Sequence, residues 1–103
     1  MSNKTMLTDE YQLTMMASYI DNNINDEATF DMFIRKLPDD WGYFIANGIE
    51  DAIDYATNIK FTGEDIDFLR NQKKYSEDFL GFLKNFKFKG EIYSVKEGEI
   101  VFP

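Results

Sequence analysis

Apolar residues recur along this chain in two rhythms, one helical and one alternating. Over residues 7–20, Tyr11, Met15 and Tyr19 fall four apart on one face, and Leu13, Met16 and Ile20 fall on the adjacent one. The pattern predicts an amphipathic helix. Thr8 or Asp9 suits its N-cap, and Asp9 followed by Gln12 has the spacing of a capping box. Residues 28–35 alternate instead: Phe30, Met32 and Ile34 share one side, with Thr29, Asp31, Phe33 and Arg35 on the other, as in a half-buried strand. Residues 41–46 are apolar on both faces and predict a second, central strand. Residues 49–58 return to the helical rhythm through Ile49, Ala52, Ile53 and Ala56.

Two more helices and a hairpin complete the pattern. Thr62-Gly63-Glu64-Asp65 opens a third helix with a near capping box, and Ile66 and Leu69 form its buried side. Ser76-Glu77-Asp78 caps a fourth helix, whose Phe79, Leu80, Phe82, Leu83 and Phe86 make a wide apolar stripe that reads as core. Residues 92–95 and 99–102 read as paired strands around a turn at Lys96-Glu97-Gly98. The expectation is a single α+β domain over residues 1–103, with about four helices and four strands. The last strand runs out at Val101-Phe102-Pro103, an unpaired apolar edge. Such an edge suggests the front of something longer, or pairing with a partner.

Composition narrows the chemistry. At 103 residues, 44% hydrophobic and 17% aromatic, the chain has enough apolar material for a core. Its net charge of −8 argues against nucleic acid or anionic membranes as partners. The sequence shows no apolar run long enough to span a bilayer, and it has no cysteine, which fits a reducing cytoplasm. It also contains no histidine, so the side chain best suited to proton transfer near neutral pH is absent. Arg35 and Lys36 can hold an anion or simply be a solvated strand end. Asp39 and Asp40 follow Pro38 and fit a turn better than a metal cage. No phosphate loop, dinucleotide fingerprint or nucleophile elbow is present.

Six stretches in order resemble the N-terminal portion of the nicotinate phosphoribosyltransferase family. They are Leu7-Thr8-Asp9-Glu10-Tyr11-Gln12-Leu13-Thr14-Met15, residues 30–38 with Phe33-Ile34-Arg35-Lys36-Leu37-Pro38, residues 42–55, 61–69 and 79–88, and Glu97-Gly98-Glu99-Ile100-Val101-Phe102-Pro103. The resemblance implies a hammerhead-like N-terminal domain of a type II phosphoribosyltransferase, with the catalytic barrel absent from this chain. The complete enzymes join nicotinate to phosphoribosyl pyrophosphate with ATP hydrolysis, using ATP and Mg, in the salvage of nicotinate to NAD. The resemblance assigns no catalytic residue here. It makes Tyr11 a ring that stacks on the pyridine, Asp9 a wall of the same pocket, and Arg35 a fork for phosphate oxygens. It places the remainder of the site on a barrel domain or a neighbouring subunit, so a homo-oligomer is in view and this chain alone is expected to be inactive. Glu10 and Asn47 depart from the family's apolar residues. The alternative is a stand-alone interaction module that keeps the fold without the chemistry and dimerises through its terminal hairpin or the Tyr11 helix.

Overall fold

A computed structural model describes residues 3–102 as four helices and a two-stranded antiparallel sheet. In chain order these are α1 (Glu10–Asp21), β1 (Phe44–Ile45), α2 (Ile49–Thr57), α3 (Gly63–Asn71), α4 (Glu77–Lys84) and β2 (Ile100–Val101). The α+β class is as expected from the sequence, and each of the four helices forms where its apolar spacing placed it.

Local hydrogen bonding sets where α3 and α4 begin. Thr62 Oγ1 accepts from the Asp65 N–H at 3.2 Å, and Asp65 Oδ2 accepts from the Thr62 N–H at 2.9 Å, closing a capping box. Ser76 Oγ accepts from the Phe79 N–H at 3.1 Å and donates to Asp21 Oδ1 at 2.6 Å. One hydroxyl therefore starts α4 and fastens it to the last residue of α1.

The core follows from that junction. Helix α4 packs against both α1 and α3. Its Phe79, Leu80 and Leu83 are fully buried, with Phe79 at 0% exposure. Around them lie Leu13 and Ala17 of α1, Ile66 and Leu69 of α3, and Phe61. Phe86 meets Phe61 edge-on at 6.1 Å and Phe82 at 5.7 Å, the orientation favoured by the ring quadrupoles. The segment before α1 is tied to the α2–α3 connection. Buried Thr5 accepts from the Lys60 N–H at 2.9 Å, and Asn3 Nδ2 donates to the Lys60 carbonyl at 3.0 Å.

The strands differ from the expected four. Residues 28–35 form no regular element and join no ladder among the described residues. Residues 92–95 and 99–102 do not pair as a hairpin. Instead β2 pairs with β1 across the domain, with Phe44 opposite Val101 and Ile45 opposite Ile100. The turn at Lys96-Glu97-Gly98 does form, closed by the Glu99 N–H donating to the Lys96 carbonyl at 3.1 Å. Strand β1 is short and its sheet has only two strands, so residues 41–46 are not a central strand. Alternation specifies which side chains share a face; it does not specify which backbone supplies the partner. Pro103, the end of the terminal strand read from the sequence, lies outside the described residues.

The domain is open. Its radius of gyration is 16.7 Å, against about 13 Å for a compact chain of this length. It exposes 8843 Å², where a compact 12.1 kDa monomer exposes about 6,000 Å². The surplus is strongly apolar: Phe30 is 89% exposed and Tyr93 88%, with Met32, Phe33, Trp41 and Phe102 also outside the core. Truncation should separate the two regions. In urea unfolding, Leu83→Ala is expected to cost about 2–5 kcal/mol, whereas Phe30→Ser should shift stability by less than about 0.5 kcal/mol.

Candidate functional site

Two places in the fold gather polar groups beside apolar surface, and the first is the start of α1. Asp9 occupies the N-cap position with extended backbone, but its side chain makes no capping hydrogen bond. The expected capping box with Gln12 is therefore absent. Gln12 turns to its neighbour and donates to Tyr11 Oη at 3.4 Å. The exposed Asp9 carboxylate is left available, next to the positive end of a helix. Tyr11 is 59% exposed and stands out from α1, while Leu13 and Ala17 of the same helix turn into the core. Helical spacing explains the division, because residues two apart point to different sides.

Glu10 adds a negative charge at this end, and the fold answers it with the Lys74 ammonium from the α3–α4 turn. That turn contains Lys73 in the left-handed region at φ 59°. The ion pair joins two exposed side chains and is worth little in stability. Its consequence is local charge: Asp9 keeps its carboxylate beside a neutralised rather than an anionic neighbour. A small hollow of about 240 Å³ opens beside it, lined by Met6, Thr8, Glu10, Phe68, Gln72 and Tyr75 among others.

Arg35 sits at a bend in the irregular stretch before Pro38, exposed, and takes part in no hydrogen bond or ion pair among the described residues. The guanidinium that is engaged belongs to Arg70. It binds Glu77 at 2.9 Å and Asp67 at 3.0 Å, and the Glu77 carboxyl is held below its ordinary range chiefly by that hydrogen bond. Asp9 is the N-cap residue of α1 and Tyr11 lies in its first turn, two positions on. Neither lines a cavity with Arg35, so the three expected site residues do not close a pocket among the described residues.

The second place was not recognised from the sequence. Ile34, residues 40–47 and the turn at Glu97 and Gly98 form an open groove of about 890 Å³, walled by Ile34, Trp41, Tyr43, Ala46, Asn47 and Glu97. At its end the Glu97 carboxylate accepts from three successive amides of the α2 N-terminus. Oε1 takes Gly48 at 2.6 Å and Ile49 at 3.2 Å, and Oε2 takes Glu50 at 3.0 Å. The Glu50 N–H does most to hold the Glu97 carboxyl below the usual carboxylate range; loss of water opposes it, and the Ile49 and Gly48 amides assist. The available signal was the Glu-Gly pair in the last resembling stretch, read only as a turn. Gly98 needs its freedom because it turns at φ 87° while its N–H donates to the Ala46 carbonyl at 2.7 Å.

Comparison with known proteins gives a consistent result. Residues 6–103 match the family model described as the nicotinate phosphoribosyltransferase N-terminal domain. The chain is 43% identical over 96 residues to nicotinate phosphoribosyltransferase of Bacillus subtilis, covering 92% of this chain and 20% of that protein. It is 32% identical over 98 residues to nicotinate phosphoribosyltransferase pncB2 of Mycobacterium tuberculosis, covering 95% and 21%. Against nicotinate phosphoribosyltransferase 2 of Arabidopsis thaliana the identity is 34% over 101 residues, covering 95% and 18%. The chain thus spans about a fifth of the length of these relatives.

A cap that binds no amide can be removed without cost, and one that does cannot. Asp9→Ala is expected to leave the urea midpoint unchanged, whereas Ser76→Ala should lower stability by about 1 kcal/mol.

Proposed function

The chain belongs to the nicotinate phosphoribosyltransferase N-terminal domain family, and on that premise we propose that it supplies one half of a substrate site completed by other parts of a longer enzyme. In this reading the whole enzyme joins nicotinate to phosphoribosyl pyrophosphate, with ATP hydrolysis, in NAD salvage. Tyr11 lays its ring on the pyridine, and Asp9 borders the same pocket. Arg35 forks onto phosphate oxygens, where its planar donors suit a tetrahedral anion. A barrel domain, of the same chain or of a neighbouring subunit, carries the remaining groups. The domain itself is the hammerhead-like element that packs on that barrel, and alone it turns over no substrate.

The observation that carries this reading is the exposure of Tyr11 at 59% on a helix whose other face is core. Water is poor company for so large a ring, and a stacking partner would cover it. Two further observations support it. The Asp9 side chain makes no capping hydrogen bond to its own helix. The surface surplus of roughly 2,800 Å² over a compact monomer is of the size buried in large, permanent interfaces. Among the described residues no group of three or more acidic side chains is placed to hold a metal ion. No helix of the described residues is long and apolar enough to cross a membrane.

The test uses two preparations. The purified chain, given nicotinate, phosphoribosyl pyrophosphate and ATP, is expected to form no nicotinate mononucleotide; turnover would overturn the half-site. Residues 6–103, substituted for the matching region of the Bacillus subtilis enzyme, are expected to give an active chimera. There Tyr11→Ala should raise KM for nicotinate, and Arg35→Ala should raise KM for phosphoribosyl pyrophosphate, each by about tenfold, the size of one lost contact of about 1.4 kcal/mol. An active chimera in which both KM values stay unchanged would remove Tyr11 and Arg35 from the site and favour a plain interaction module.

A further inference from the structure

Helix α2 stands apart from the other three in how it is held. Among the described residues it packs on none of α1, α3 and α4. Its apolar face, Ile49, Ala52, Ile53 and Ala56, is only half-buried, and no residue of the helix is fully buried. At nine residues it is shorter than an isolated helix needs to persist in water. Its own sequence offers no cap, because Gly48 occupies the N-cap position at φ 104° and has no side-chain acceptor. The cap comes from Glu97, some fifty residues later, which binds the Gly48, Ile49 and Glu50 amides.

The same turn holds the sheet. The Gly98 N–H donates to the Ala46 carbonyl at 2.7 Å, and the Ala46 N–H donates to the Glu99 carbonyl at 2.8 Å. These bonds continue the β1–β2 ladder up to the start of α2. A single carboxylate therefore stands where β1, β2 and α2 meet. No cation is ion-paired with it among the described residues. The charged residues on the elements that meet there are Glu50 and Asp51 of the first turn of α2, Asp40 on the groove wall, and Lys96 and Glu99 beside it in sequence. Four of these five are acidic, so the anion is kept by backbone amides alone.

We propose that Glu97 is a latch that makes α2 conditional on the 96–101 segment: while its carboxylate bridges the Gly48, Ile49 and Glu50 amides, β1, β2 and α2 stand as one unit, and when it is withdrawn that unit opens while α1, α3 and α4 stay folded. The helical core has its own fastenings at Thr62 and Ser76, neither of which involves the latch. The inference concerns local stability and does not rest on the substrate reading.

The sign of the acid response follows from the geometry. The anion accepts all three amides; the protonated acid keeps only part of that acceptor capacity and loses its charge beside the helix end. The latch is closed above the ordinary glutamate range and opens as pH falls through the lowered value in the folded chain.

Amide hydrogen exchange read by NMR on the whole chain tests the latch. In Glu97→Gln at neutral pH, protection of the α2 amides from Ala52 to Thr57 is expected to fall about tenfold or more, while amides of α3 and α4 keep wild-type protection. Wild-type chain at acid pH should lose α2 protection before α3 and α4 lose theirs, with Glu50→Gln and Asp51→Asn behaving as wild type. If Glu97→Gln does not fold, the wild-type acid series alone decides. Unchanged α2 protection in Glu97→Gln, or loss of all four helices together in the acid series, would overturn the proposal.

Discussion

Burial of one helix face organises this domain. Phe79, Leu80 and Leu83 of α4 are its largest fully buried side chains, and α4 is the helix that touches both α1 and α3. Each such burial is worth roughly 1.5–3 kcal/mol in apolar surface removed from water, and no other element contributes as much. Ser76 ties this packing to a hydrogen-bonded start, because its hydroxyl both caps α4 and holds Asp21 at the end of α1. The orientation of α1, and with it the outward projection of Tyr11, depends on that arrangement.

Away from α4 the chain changes character. Residues 28–47 and 86–102 carry many of its aromatics, yet they are mostly irregular and largely exposed. A small core and a large apolar surface are the expected outcome when the sequence is patterned for contacts that the domain cannot make with itself. The two-stranded sheet, the Glu97 clamp and the open groove belong to this half. Backbone hydrogen bonds between β1 and β2, and from α2 to Glu97, hold it more than side-chain burial does.

The candidate site follows the same division. Asp9 and Tyr11 sit on the helical half, placed by packing on the opposite face of α1. Arg35 sits on the irregular half with no partner among the described residues to fix it. In the proposed half-site the core positions Asp9 and Tyr11, and the remainder falls to whatever covers the apolar surface. Family membership and the roughly fivefold greater length of the relatives fit that reading.

Local spacing was enough to give the four helices and the caps of α3 and α4. Thr62, Ser76 and the apolar stripe of α4 act within a few residues, so spacing alone reveals them. Spacing also separated Tyr11 from Leu13 and placed Asp9 at the helix start. Whether Asp9 caps was decided by side-chain geometry, which spacing does not contain. Strand pairing was decided by the tertiary structure: residues 28–35 and 92–95 have strand-like patterns and no ladder, while β2 bypassed its neighbour in sequence for Phe44 and Ile45. Glu97 was legible as a turn residue and illegible as a cap, because the amides it binds lie nearly fifty residues away. Short-range interactions leave a periodic trace in the order of residues; long-range hydrogen bonds to backbone leave none, since every residue except proline offers the same N–H and C=O.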